Sequence, residues 1–300
     1  MRQAFIKLHL SIILAGFTGV LGKVITLNEG LLVWYRLMIT VTVMLCITGL
    51  SKNLLETWRA ASLHLMGMMG TGALLALHWV FFFGSIKASN VSIGVICFSV
   101  TGFFTAILEP LMNRRRISIR EVLFSMIALA GIMLVFHLDI RYRTGILLGI
   151  VSSLFCALFT ITNKMIGKEQ PVKTILLYEM IGGFLCVSLL LPAYLHYFPV
   201  ATLIPSLHDI FYLIIFAVIC TVGLYLLQIE VLKSVSAFTL NLSYNLEPVY
   251  SIIIAMLFLG EAKELSLAFY IGLSLIILSV LLQSLTVMKR KTGKADSMTR

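Results

Sequence analysis

The chain has 300 residues, 60% of them hydrophobic and 12% charged, with a mean hydropathy of +1.03. Soluble domains are near half apolar and a quarter charged, and no soluble fold of this length could bury so much apolar surface, so lipid must solvate most of the chain. The net charge of +10 lies in short runs between apolar segments, which argues against nucleic acid as a partner and points to topology control and contact with anionic lipid.

Breaking the sequence at charges, prolines and turn residues predicts ten transmembrane helices, over approximately 8–26, 31–50, 63–85, 91–112, 119–137, 145–166, 173–195, 208–229, 236–259 and 266–287. Each can cross a hydrocarbon core of ~30 Å at ~1.5 Å per residue. They must be helices, because lipid offers backbone groups no partners and the segments are too long for barrel strands. The first segment follows Arg2 and Lys7 like a signal peptide, but a second span begins near Leu31, so it is read as a retained helix. The stretch around Pro192, His196 and Pro199 reads as a turn-rich loop with an interfacial rim. Cys46, Cys97, Cys156, Cys186 and Cys220 all fall in apolar segments without a Cys-x-x-Cys pair, which predicts packing residues, no metal site and no disulfide framework.

Lys and Arg set the orientation. With the N-terminus cytoplasmic, 17 of the 23 fall on the cytoplasmic side, in clusters such as Arg114-Arg115-Arg116 and the tail Lys289-Arg290-Lys291, against 5 on the other side, with Arg36 inside the second segment. That asymmetry places both termini in the cytoplasm and requires an even number of spans.

An internal repeat is also visible. Lys87–Leu111 can be laid on Lys233–Leu257 at a constant offset of 146, Gly22–Ile25 on Asn163–Ile166 at 141, and Tyr35 on Tyr178 at 143. Each unit would hold five helices, an odd number, so the second would cross the membrane upside down. The charges agree: the Arg-rich loop at 114–116 aligns with Gly260-Glu261-Ala262 on the opposite side. The predicted organisation is a first repeat at 1–144, a second at 145–288 and a basic cytoplasmic tail at 289–300. Inverted repeats characterise secondary transporters, with a substrate site near the midplane where the halves meet.

Polar residues inside the spans need a reason, since an ionised side chain at the bilayer centre costs at least ~2.5 kcal/mol. Glu247 is the foremost candidate. It lies in Asn245-Leu246-Glu247-Pro248, halfway along the ninth segment, where Pro248 frees the carbonyl of Tyr244 and would kink the helix. Asn241, Tyr244, Pro248 and Ser251 recur at helical spacing. Either Glu247 binds a cationic group or a proton in a cavity wall, or Asn and Tyr neighbours satisfy it within the bundle; the first reading is adopted. In the first half Ser99 and Gly102 belong to a small, polar, uncharged stretch, and Gly102 stands where Pro248 stands, suited to a cavity wall or to close helix packing. His78 and Trp79 in the third segment and Tyr225 and Gln228 in the eighth are further pocket candidates. A histidine can carry protons, though core hydrogen bonding accounts for such residues too. Arg36 and Glu179, at near-equivalent positions, would either pair as a gate between the halves or snorkel to separate interfaces.

The chain carries no phosphate-binding GxxxxGK[ST], no HExxH and no GxSxG. Pro248 followed by Phe258-Leu259-Gly260-Glu261 and a further apolar span, on two five-helix units, resembles the EamA-type branch of the drug/metabolite transporter superfamily. The motif is degraded in the first half, where Asn113-Arg114-Arg115-Arg116 replaces the Leu-Gly-Glu ending. The resemblance implies a central cavity, alternating access and, often, export of amino acids or other metabolites. The resulting expectation is a monomeric secondary transporter, not an enzyme, in the bacterial cytoplasmic membrane. It would move a small metabolite without a cofactor, in the export direction, with proton coupling through Glu247 or His78 as one option. An intramembrane enzyme and a flippase for lipid-linked substrates are the alternatives.

Overall fold

Without water in the hydrocarbon core, every backbone N–H and C=O must find a partner inside the protein, and helices achieve this within one segment. The computed structural model describes residues 2–49, 65–137, 142–166, 170–244 and 246–260, with parts of a further helix between 267 and 282. Among the described residues the protein is all-helical. In chain order the helices are α1 (Arg2–Val24), α2 (Glu29–Gly49), α3 (Leu65–Ala88), α4 (Val91–Phe98), α5 (Thr101–Met112), α6 (Ile119–His137), α7 (Arg143–Ile166), α8 (Val172–Tyr197), α9 (Leu207–Ala217), α10 (Leu224–Leu232), α11 (Ala237–Tyr244) and α12 (Glu247–Leu259). A π-helical turn, Val218–Gly223, joins α9 to α10. Seven stretches among the described residues are long and apolar enough to cross a membrane, counting α4 with α5 and α9 with α10 as continuous spans. The predicted tenth segment, the basic tail, Asn245 and Glu261 lie wholly or mostly outside the described residues.

Two expected single helices are interrupted. The fourth breaks at Ser99 and Val100, and the ninth breaks between Tyr244 and Glu247. The breaks sit at matching places in the sequence repeat, since α4 and α11 begin and end 146 residues apart. Their N-terminal caps match as well: the Asn90 side chain accepts from the Ile93 amide at 2.8 Å and Ser236 from the Thr239 amide at 3.0 Å. Pro248 is therefore not a kink within a helix. It lies in the first turn of α12, where its missing N–H is no loss and its fixed φ is already helical. Nor is the stretch after Pro192 a loop at once, for α8 runs through it to Tyr197. Proline removes one helical bond and keeps a helical φ, and neighbouring helices make that tolerable in a membrane bundle.

Reciprocal lysine contacts close the helix ends. Lys23, ending α1, donates to the carbonyls of Ile86 and Ser89 at 3.5 and 3.4 Å, and Lys87 donates back to the Ile25 carbonyl at 3.0 Å. Lys164, ending α7, donates to the carbonyls of Leu232 and Val235, and Lys233 to that of Gln170 at 2.8 Å. Lys23, Lys87 and Lys164 thus meet the negative ends of neighbouring helices, whose last carbonyls lack helical donors, while Lys233 bonds the connection that leads into α8.

At the centre, α3 packs along α7 and α8, while α1 packs on α10 and α12. The α3–α8 crossing depends on glycine. A Cβ at Gly72 would fall 1.8 Å from the Glu179 carbonyl oxygen, and one at Gly182 would fall 2.2 Å from that of Met69. With no hydrophobic force between helices in lipid, such close backbone approach supplies the packing. Gly182→Ala should therefore force the helices apart and cost about 3 kcal/mol, read as a lower melting temperature in detergent. Lys164→Met should cost about 1 kcal/mol, while the same change at the exposed Lys173 should leave the melting temperature unchanged.

Candidate functional site

The breaks in α4–α5 and α11–α12 place irregular backbone inside the bundle, where it can be tolerated only against protein or a cavity. A cavity lies there. Partly open to its surroundings, it offers about 40 Å³ to the centre of a water molecule, room for roughly three waters. A metabolite would therefore enter only if side chains or helices moved. His78, Trp79, Tyr225, Gln228, Asn241, Tyr244 and Glu247 all line it, drawn from α3, α10, α11 and α12. Of the residues proposed from sequence for substrate contact, Ser99 alone is not in the lining; it is buried in the break between α4 and α5.

Glu247 is 4% exposed and opens α12. At a helix N-terminus the unpaired amides and the macrodipole favour a carboxylate, so this acid is placed where its charge costs less than it would mid-helix. Asn241 is held from two sides: its amide donates to Thr105 Oγ1 at 2.9 Å, and its oxygen accepts from Thr160 Oγ1 at 3.2 Å. His78 is likewise engaged, with Nδ1 2.8 Å from the Ser152 hydroxyl and 3.1 Å from the Ser152 carbonyl oxygen. Both residues thus fasten α7 to the site as well as lining it. Trp79 Nε1 donates to the Tyr225 hydroxyl at 3.0 Å, with the rings edge to face at 5.5 Å.

The lining follows the sequence repeat. Trp79 and Tyr225 are 146 residues apart, as are Phe82 and Gln228, and Phe98 and Tyr244; Ala15 and Cys156 are 141 apart. The charged residues break this pattern: Glu247 corresponds to Thr101, and Arg36 at an offset of 143 to Glu179.

Arg36 and Glu179 do not pair as a gate, and neither snorkels, each being 1% exposed. Arg36 turns into the cavity and bonds to Thr221, while Glu179 accepts from Asn163 Nδ2 at 2.7 Å between α7 and α8. Gly102 and Pro248 lie in the first turns of α5 and α12, both buried but outside the lining. The sequence reading missed the aromatic wall of Phe82, Phe83, Phe98 and Phe159, since phenylalanine in an apolar span carries no sign of which face it occupies. It also missed the π-helical turn and Thr221, for which a lone hydroxyl in an apolar run was the available signal. Two wider recesses lie elsewhere, one bounded by Glu29, Lys87 and Asp209 and the other by Glu109, Arg115 and Arg116.

The Trp79–Tyr225 contact joins α3 to α10 through both a hydrogen bond and ring packing. A double-mutant cycle of Trp79→Phe and Tyr225→Phe, measured as melting free energies, should return a coupling of about 1 kcal/mol.

A model of the EamA-like transporter family matches the chain twice, over residues 4–137 and 143–285. An uncharacterized transporter, YxxF of Bacillus subtilis (strain 168), is 23% identical over 299 residues, spanning 98% of this chain and 92% of that protein. A solved crystal structure superposes with a TM-score of 0.67 at 16% identity, covering 95% of this chain and 98% of its own, a likeness of fold. With its apolar helices and a family match across nearly its whole length, the chain belongs to the EamA-like transporter family and is a membrane transporter of small substrates.

Proposed function

We propose that the protein is a secondary transporter that carries a small metabolite out across the bacterial cytoplasmic membrane by alternating access. In this reading the family's two matched units are five-helix repeats of opposite orientation, at 1–144 and 145–288, which make ten helices with both termini in the cytoplasm. The basic tail at 289–300 then sits against the anionic inner leaflet.

One observation carries the reading. Residues from both units, many at equivalent positions, converge on one narrow cavity holding a buried carboxylate at a helix break. Discontinuous helices that expose their termini to a midplane cavity are the usual construction of a transporter binding site. Lysine contacts close helix ends in both units, and the cavity between is too small for more than a few waters. The described conformation thus fits an occluded intermediate between states open to either side.

Glu247 supplies the negative contact, for a cationic group of the substrate or for a coupling proton. His78, Trp79, Tyr225, Gln228, Asn241 and Tyr244 shape the pocket around it. A metabolite survey of cells with and without the protein, followed by flux into reconstituted vesicles, tests the assignment. The same compound should disappear on one side and reappear unchanged on the other, whereas an enzyme would return an altered product. Glu247→Gln should lower flux by tenfold or more, about 1.4 kcal/mol or greater, in a protein that still elutes as a single folded species. Wild-type flux and substrate range in that variant would refute the role of Glu247.

A further inference from the structure

We propose that Arg36 is the carboxylate-binding group of the central cavity, so that the transported molecule carries an anionic group for Arg36 as well as a cationic one for Glu247. The proposal rests on the transporter reading and adds to it a second, oppositely charged subsite.

Arg36 lies on α2 and is 1% exposed. Its guanidinium is held between two rings, with Cζ 3.6 Å from the centre of Trp79 and 4.0 Å from that of Phe216. This sandwich fixes the plane of the group and leaves only its edges for hydrogen bonding. On one edge Nε donates to Thr221 Oγ1 at 2.7 Å, and Nη2 reaches the Cys220 carbonyl at a long 3.4 Å. Nη1 is buried with no hydrogen-bond partner among the described residues. Arg36 lines the cavity, and no ion pair joins it to a carboxylate among the described residues.

The local backbone serves this arrangement. Cys220 and Thr221 belong to the π-helical turn, and the Thr221 hydroxyl, while accepting from Arg36, donates to the Phe216 carbonyl five residues earlier, at 2.9 Å. A π turn leaves carbonyls without their usual donors and is common at functional sites. Here it presents an acceptor pair to Arg36.

A purely structural arginine would be expected to have its charge met within the fold, because breaking or omitting the partner of a buried charge is costly. The rings and the two bonds offset part of that cost. One guanidinium nitrogen remains unfilled beside a cavity that already offers a carboxylate from Glu247. Arginine's flat fork suits a carboxylate, and a single guanidinium matches a monoanion better than a doubly charged phosphate. The sequence repeat puts Glu179 at the position matching Arg36, yet that acid is bonded to Asn163 and is not available to Arg36.

The test uses the full-length protein in liposomes loaded with a deproteinised bacterial metabolite extract, with mass spectrometry of what leaves. Through the wild type, compounds that carry both a carboxylate and a cationic nitrogen should leave fastest. Arg36→Gln should reduce their loss tenfold or more and remove their advantage over carboxylate-free amines in the same extract. Arg36→Lys, which keeps the charge without the flat fork, should raise the half-saturating concentration for the same compounds about tenfold. If Arg36→Gln does not fold, Arg36→Lys decides alone. Loss of carboxylate-free compounds as the main cargo, or unchanged selection in the folded variants, would overturn the proposal and leave the transporter reading standing. No protein-dependent loss of any compound would instead remove the transporter reading, and the proposal with it.

Discussion

Lipid offers no hydrogen bonds, and nearly everything in this structure answers to that. The long helices satisfy their own backbones. Where a helix ends at its neighbour, a lysine closes the last carbonyls, as Lys23 and Lys87 do on one pair of ends and Lys164 on another. Where a helix is broken, the break is buried in the bundle against the cavity rather than presented to lipid. The same constraint makes every ionisable group inside the bundle conspicuous. Glu247 is eased by a helix N-terminus, and Arg36 by two aromatic faces and a π-helical turn.

The repeat divides the work of the site. Equivalent residues such as Trp79 with Tyr225 and Phe98 with Tyr244 provide shape, and they come from positions that serve both units alike. Charge comes from positions where the units differ. Thr101 stands where Glu247 does, and Glu179 is the counterpart of Arg36 but is turned away to Asn163.

Much of this was legible in the sequence. Hydrophobic runs located the seven membrane-length helices among the described residues, most of them to within a few residues, because in lipid the apolar length of a segment is itself the structural requirement. Trp79 and Tyr225 were legible as polar aromatics in the third and eighth spans, though not as partners, and Glu247 stood out because a carboxylate in an apolar run is expensive. The failures have equally definite causes. Arg36 and Glu179 lie near the ends of their segments, where snorkelling is cheap, and only tertiary packing reveals that α2 and α8 bury them. The proline in Asn245-Leu246-Glu247-Pro248 marks a disturbed helix, but sequence does not say whether the helix bends or stops. The close crossing at Gly72 and Gly182 and the π turn at Thr221 depend on the neighbouring helix, and no local pattern encodes them.

The hydrogen bond between Trp79 and Tyr225 has a geometric consequence. It joins two residues that the repeat makes counterparts of each other. If the two halves trade conformations during a transport cycle, almost every contact between them is exchanged for a different one. A contact between counterparts is instead carried onto itself, with the same two partners before and after. The indole and the phenol would then mark a fixed point of the cycle, a fulcrum about which the flanking helices swing, set directly beside Arg36, which stacks on that same indole.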